Sequence, residues 1–380
     1  MAERRVPHKP IPVAHPVFWG NEKKYVDECL ETSWISSVGR FIPAFEQEFA
    51  RFCGVEHAVS CDTGTSAVHL ALMGFGVQAG DEVIVPSLTF IATANAVRYC
   101  GAKPVFVDCD EQSMNITPAL IEPAITERTR GIIVVHLFGH PADMDPILLM
   151  AKERGLFVIE DAAEAHGAIY RGRPAGGLAD AGTFSFFGNK IITTGEGGMV
   201  TTRDAAFAQR LRILRGQGMD PNRRYWFPIV GYNYRMTNIQ AAIGLAQMED
   251  VDAHLAARHQ IASWYRRHLE PLKEWIQLPM VEDWAVHACW MFTVVLRDLI
   301  ASARDQIMRA MATDGIETRP FFHPLHSLPP YDDGSLRLPI TEKLAGAGIM
   351  LPTHALLTED DIRYIASSLA SACHAEAAGR

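Results

Sequence analysis

The sequence predicts an α/β protein, with a mostly parallel central sheet flanked by helices and a smaller carboxy-terminal α/β unit. Two observations carry this. Short apolar runs rich in Val, Ile and Phe recur at Glu82–Val85, Pro104–Val107, Gly131–Val135, Leu156–Ile159, Gly182–Phe186 and Gly198–Thr201, as expected of strands buried on both faces. Helical patterns lie between them, and strand–helix alternation of this kind builds parallel sheets. With 380 residues, 48% hydrophobic and 21% charged, there is ample material for a large core, and disorder is excluded for most of the chain.

The elements follow in order. Ser66–Gly74 reads as a helix after a Gly-Thr-Ser turn, Thr89–Tyr99 as one after Pro86, and Asp145–Arg154 as one stopped by Gly155. Asp204–Arg215 is helical, and a stretch rich in glycine, arginine and aromatics, Gly216–Arg235, comes next. Thr237 with Gln240 three residues on is a capping box. It opens a long helix that carries Ile239, Ala242, Ile243, Ala246 and Met248 on one face and continues to Leu269. The carboxy-terminal unit then holds a strand at Cys289–Leu296, a helix at Ala303–Asp314, a Pro-rich segment Pro320–Pro330 and a last helix from Thr358, whose Glu359, Asp360 and Asp361 offset the helix dipole. This division expects a large domain over 1–250, with an amino-terminal arm over 1–20, and a small domain over 251–380.

Lys and Arg number 35 against 44 Asp and Glu, a net charge of −9, so the surface gives no general pull toward nucleic acid or anionic membrane. The seven cysteines are odd in number and none forms C-x-x-C, which reads as reduced, buried thiols in a cytoplasmic protein. The segment Met1–Pro16, with Arg4, Arg5, His8 and Lys9, has no apolar core of a secretory signal. The glycine and nucleophile motifs of dinucleotide-binding, P-loop, serine hydrolase and zincin enzymes are missing from the sequence. His136 with His140, and His323 with His326, have metal-like spacing but lack a carboxylate placed to complete a ligand set, so no metal is expected.

Ligands of parallel sheets bind at the carboxyl ends of the strands, so the polar residues there carry the chemistry. Lys190 follows the run ending at Phe186 and is pressed among apolar neighbours; burial lowers an amine's pKa and makes it a nucleophile, whereas a lone lysine commonly snorkels to solvent. Asp161 ends the run Leu156–Glu160. It is placed either to meet a cationic ligand group or to cap a helix over Ala162–Ala165, with Glu164 as capping partner or ligand contact. Gly64 and Thr65, in Asp62-Thr63-Gly64-Thr65-Ser66, open a helix whose amides can bind phosphate, and Ser185 can add a hydroxyl. Phe90, just past a strand, can stack on a flat heterocycle or belong to the core. Arg223-Arg224-Tyr225-Trp226-Phe227 suits a small nucleotide ligand or a subunit interface better than a nucleic-acid groove.

A phosphate cup, a stacking ring, an acid after one strand and a lysine after the next are together what pyridoxal 5'-phosphate requires, and their order is that of the fold-type I aminotransferases. Asp161-Ala162-Ala163-Glu164, Ser185-Phe186-Phe187-Gly188-Asn189-Lys190, Thr194-Gly195-Glu196-Gly197-Gly198 and Asn233-Tyr234-Arg235-Met236 resemble the DegT/DnrJ/EryC1/StrS sugar aminotransferases, over about Pro12 to Ala370. The resemblance implies that Lys190 bonds the cofactor covalently, Asp161 pairs with the pyridine nitrogen, Thr65 and Ser185 hold the phosphate, and Phe90 covers the ring. It also implies a homodimer in which Asn233 reaches the partner's cofactor phosphate. Glu164 stands where many relatives carry glutamine. Lys190 argues against a sister branch, the dehydratases, which have histidine there. Trp34–Arg40, Gly216–Arg235 and Leu351-Pro352-Thr353-His354 resemble the branch whose substrate is GDP-4-keto-6-deoxy-D-mannose, with L-glutamate as amino donor. Trp34, Ser36, Arg224, Tyr225 and His323 are assigned to the substrate on that ground. The alternatives are a dTDP- or UDP-linked keto sugar as substrate, and a non-catalytic, cofactor-binding regulator.

Overall fold

A computed structural model describes residues 10–297, 300–332 and 334–378. The amino-terminal residues Arg4, Arg5, His8 and Lys9 lie outside the described residues. The strands in chain order are β1 (His57–Cys61), β2 (Glu82–Pro86), β3 (Lys103–Val107), β4 (Thr129–Val135), β5 (Phe157–Asp161), β6 (Ile169–Tyr170), β7 (Arg173–Pro174), β8 (Ala181–Ser185) and β9 (Gly198–Thr202). They continue as β10 (Ile276–Gln277), β11 (Ala285–Val286), β12 (Phe292–Leu296), β13 (Arg319–Pro320) and β14 (Gly348–Leu351).

The main sheet has seven strands in the order β1-β9-β8-β5-β4-β2-β3. β8, β5, β4, β2 and β3 pair in parallel, and β9 runs antiparallel to both β8 and β1. β1 therefore points the same way as the five parallel strands, and the carboxyl ends of six strands share one edge. Both faces of the sheet are covered: Val83, Val85, Ile133, Ile159 and Val200 pack in one core cluster, and Ile84, Ile132, Val134 and Val158 in another. Neighbouring residues thus alternate between faces, as the two-residue period of a strand demands. β10, β12, β14 and β13 form a four-stranded antiparallel sheet in the carboxy-terminal unit, against which the helices Arg304–Thr313 and Glu359–Ala378 pack. The segment around Ile11 is tied to that unit: Ile11 bridges to Ile316, and Thr353 N–H donates to the carbonyl of Val13.

Some elements depart from the sequence reading, for local reasons. The helix expected from Thr89 begins at Ala92, so Thr89 and Phe90 belong to the turn that leaves β2. The long helix from Thr237 keeps its capping box but is broken at Asp250, where φ is −110°, giving Asn238–Glu249 and Val251–Leu269. The strand expected from Cys289 starts at Phe292, because Cys289 has a left-handed backbone (φ 56°) that a strand cannot hold. Five cysteines are buried as expected, whereas Cys100 and Cys289 are half-buried; all are free thiols. Among the described residues no helix is long and apolar enough to cross a membrane.

Candidate active site

β5 sets two carboxylates on opposite faces of the sheet. Glu160 is fully buried and turned away from the site. It accepts from the backbone N–H groups of Gly176, Leu178 and Ala179 at 2.7–2.9 Å, and from His136 at 3.0 Å. The other ring nitrogen of His136 accepts from Ala142 N–H, so His136 carries its hydrogen on Nε2 and donates to Glu160. His136 is thereby a structural partner of Glu160, and His326 likewise lies between Ser87 (2.7 Å) and Glu342 (3.1 Å).

Asp161, one residue on, faces the other way. Its Oδ2 accepts from Thr93 Oγ1 at 2.7 Å and its Oδ1 from Ala163 N–H at 3.3 Å. Turns follow β5 rather than a helix, so Asp161 is a strand-end acid and not a helix cap. Burial pushes its pKa up, against the lowering pull of Thr93, Ala163 and Lys190. A buried carboxylate of this kind is stabilised by a cationic partner.

Glu164 is buried three residues further on. Its Oε2 accepts from Phe138 N–H at 2.8 Å, and its Oε1 is 3.9 Å from Lys190 Nζ. Phe138 holds a left-handed backbone (φ 55°) that aims this N–H inward, and Gly139 beside it (φ 103°) has Glu164 O only 3.0 Å from where a Cβ would lie. Burial raises the Glu164 pKa and Lys190 opposes it; burial lowers the Lys190 pKa and Glu164, then Asp161, oppose it. The lysine is therefore held closer to its neutral, nucleophilic form than a surface lysine.

Lys190 sits in the connection between β8 and β9, and that loop is pinned along its length. Lys190 N–H donates to Phe187 O, Thr194 N–H to Phe186 O, and Phe186 N–H to Gly197 O, each at 2.9 Å. The Lys190 side chain is 11% exposed, and its Nζ stands 3.8 Å from the ring centroid of Trp290. Trp290 reaches the site from the stretch before β12, and its indole N–H donates to Asn189 O at 2.8 Å.

The expected phosphate cup falls where β1 turns into the helix Gly64–Gly74. Thr63 caps that helix by accepting from Ser66 N–H, which leaves Gly64 and Thr65 at the open first turn. Gly64 is required by close approach: a Cβ there would stand 2.6 Å from Ser185 Cβ. Ser185, at the end of β8, therefore adjoins the same helix end, a site made for an anion.

Other predicted contacts stand on exposed ground. Phe90 is 56% exposed and touches Phe322 edge-on at 5.9 Å. Asn233 is exposed and bridges to Gly216 through the backbone. Its loop carries Arg224, stacked on Tyr225, which is 72% exposed. Trp34 and Ser36 are exposed, their carbonyls accepting from Asn238 Nδ2 and N–H at 2.7 and 2.6 Å. His323 is exposed beside Phe322. The fold thus gathers Gly64, Thr65, Asp161, Glu164, Ser185 and Lys190 at one edge of the sheet, and leaves Trp34, Phe90, Arg224, Tyr225, Asn233 and His323 open to solvent.

Thr93, Phe138 and Trp290 were not singled out by the sequence. Thr93 lies one helical turn past Phe90, and a polar side chain on the inward face of a helix start was its only signal. Nothing local marks Trp290, whose partner is about a hundred residues away.

A parallel sheet with a buried lysine and a buried acid at the carboxyl ends of adjacent strands, and an anion cup beside them, defines a fold-type I aminotransferase. The chain belongs to the DegT/DnrJ/EryC1/StrS aminotransferase family, which it matches over residues 19–370. It is 57% identical over 364 residues to the GDP-perosamine synthase of Caulobacter vibrioides (94% of this chain, 97% of that one). Its identity to the GDP-perosamine synthase of Escherichia coli O157:H7 is 45% (95% and 98%). Among solved structures, Helicobacter pylori PseC, an aminotransferase of pseudoaminic acid biosynthesis, superposes with a TM-score of 0.91 at 26% identity, covering 97% of this chain and 100% of that one.

Aminotransferases of this family depend on pyridoxal phosphate. The residues present fit that group on structural grounds. The buried Asp161 calls for a cation such as a pyridine N–H. The Gly64–Ser185 cradle is kept open by the missing Cβ, and the Lys190 amine is desolvated.

Proposed function

We propose that the chain transfers the amino group of L-glutamate to C4 of GDP-4-keto-6-deoxy-D-mannose, giving GDP-perosamine and 2-oxoglutarate, in supply of an amino sugar for O-antigen or a related surface polysaccharide. The observation that carries the chemistry is the buried Lys190 amine between Glu164 and Trp290, next to Asp161. The similarity to GDP-perosamine synthases supports the GDP-linked sugar.

In this reading Lys190, Asp161, Glu164, Phe90, Gly64, Thr65 and Ser185 hold the cofactor, and Asn233 of a second copy closes its phosphate end. Pyridoxal phosphate, when bound, supplies an electron sink for bond breaking at the donor's Cα. Asp161 would keep a positive charge at the pyridine nitrogen, because a cation there offsets the burial of its own charge beyond what Thr93 and Ala163 supply. The freed Lys190 Nζ accepts the proton of the glutamate Cα and, in the return half, delivers a proton to sugar C4; a positioned general base and acid of this kind contributes about 10²–10⁴-fold. Burial keeps the amine neutral enough to accept that proton. Trp34, Ser36, Arg224, Tyr225 and His323 meet the nucleotide sugar. A homodimer is supported by the exposed apolar stretch around Asn233, where Tyr225, Trp226, Phe227, Ile229 and Val230 are 43–86% exposed.

The test is turnover with L-glutamate and a panel of GDP-, dTDP- and UDP-linked 4-keto-6-deoxy sugars. The GDP-linked sugar is expected to react far faster. Comparable rates across the panel would remove the GDP assignment and leave the aminotransferase.

A further inference from the structure

Lys190 must work as a free amine for part of any cycle in which it also bonds the cofactor, so the place where it rests when free matters. That place is unusual. The side chain is 11% exposed, so water does little to solvate an ammonium there. Nζ stands 3.9 Å from a Glu164 oxygen and 3.8 Å from the centroid of the Trp290 ring. Asp161 also acts on the lysine by its charge, and the lysine's charge in turn helps to hold the buried His166 neutral. The face of an indole carries the negative side of the ring quadrupole and attracts a cation, most strongly where both are desolvated.

Trp290 is itself fixed. It is 3% exposed, and its N–H grips Asn189 O, the carbonyl just before Lys190. Its own carbonyl accepts from Arg258 Nη1 at 2.7 Å, and the same nitrogen donates to Thr353 O at 2.7 Å. Cys289, immediately before it, takes a left-handed backbone that costs a non-glycine residue energy, and its N–H is satisfied by His287 Nδ1 at 2.9 Å. A bent backbone, a buried guanidinium and an indole N–H all serve to set one ring face under one amine.

We propose that Trp290 is a positioning residue for Lys190: its indole face is the resting place of the amine whenever the lysine is not bonded to the cofactor, and its N–H fixes the backbone that carries the lysine. The proposal rests on the assignment of Lys190 as the working lysine, and not on the identity of the sugar.

Its test reads the lysine without turnover. The full chain, freed of cofactor, is trace-labelled with acetic anhydride across pH 6–11, and acetylation of Lys190 is read by mass spectrometry. Only the neutral amine reacts, so the profile gives the proton equilibrium of Lys190. Removing a desolvated cation–π contact eases loss of the proton. Trp290→Leu is therefore expected to move the midpoint down by about one pH unit, a roughly ten-fold change. Trp290→Phe, which keeps a ring face, is expected to recover most of that shift. A midpoint that stays or rises in folded Trp290→Leu overturns the proposal. Should that variant fail to fold, fluorine NMR of the wild-type sequence carrying 5-fluorotryptophan decides, with the position 290 signal assigned from Trp290→Phe. That signal is expected to titrate together with Lys190 and to lose the titration in Lys190→Met; a signal that stays flat while Lys190 titrates overturns the proposal. Failure here leaves the sugar panel result untouched, and the reverse also holds.

Discussion

Asp161, Glu164, Lys190 and Trp290 are buried and bonded within the chain, whereas Phe90, Trp34 and Tyr225 are 56%, 56% and 72% exposed. The first group has its electrostatics set before anything binds, since desolvation and fixed neighbours already shift its acids up and its amine down. The second group has rings and cations but few partners of its own. Proton transfer depends on a preorganised, dry setting, and recognition of a large nucleotide sugar depends on surface left open for it. One chain can finish the first alone; the second is completed by ligand and, in our reading, by another copy of the chain.

Three experiments press on this contrast. The largest effect is expected at the buried wall. Lys190→Ala should lower turnover at least about 10²-fold in folded protein, the loss expected of a missing general base. Near-native turnover would show that the buried wall does not hold the working amine.

The next concerns the open wall. Asn233→Asp should weaken cofactor binding, because a carboxylate facing a phosphate is a like-charge contact. When Lys190→Ala and Asn233→Asp chains are unfolded together and refolded, a mixed dimer holds one site with both lesions and one with neither. Activity should return to about half the wild-type value per mixed dimer. If both parents are impaired and verified mixed dimers stay inactive, Asn233 serves its own chain and the open wall is not shared.

The third effect is spread through the interior and touches no turnover. Burial pushes His166 and His287 down to about 3 and His140 to about 4, so all three fold in the neutral form. Their unfolded forms bind a proton near pH 6.5. The stability they contribute is complete above that pH and declines as the pH falls toward their folded values, by about 1.4 kcal/mol per pH unit for each histidine. Calorimetric melting temperatures should drop between pH 6.5 and 5. A flat profile would mean that these rings are not held neutral.

What the sequence made legible divides along the same lines. Asp161 and Lys190 each follow a short apolar run, and a parallel sheet lines up the ends of such runs, so strand period and topology were enough to bring them together. Gly64 and Thr65 were readable because a helix start announces itself in Gly, Thr and Ser. Phe90 was legible only as a ring past a strand end that could stack or belong to the core, and the assignments of Asn233 and the substrate set rested on resemblance, since an exposed residue carries no period to read. Trp290 escaped because its position depends on contacts with Asn189 and Arg258, both remote in sequence, and on a left-handed Cys289 that β propensity does not anticipate. The break at Asp250 was hidden for the opposite reason: apolar residues keep their helical spacing on both sides of it.

The pinned connection between β8 and β9 bears on the timing of the reaction. The backbone at Lys190 is held by Phe187, the residue before it by the Trp290 indole, and the loop's return by Phe186 and Gly197. The amine can therefore travel only by rotation about the bonds of its own side chain. Such rotations take picoseconds to nanoseconds, far shorter than the milliseconds to seconds between turnovers of a typical enzyme. A lysine hung from a fixed post resets between the two halves of the cycle long before one product has left and the next substrate has arrived, so the swing of the amine does not set the pace.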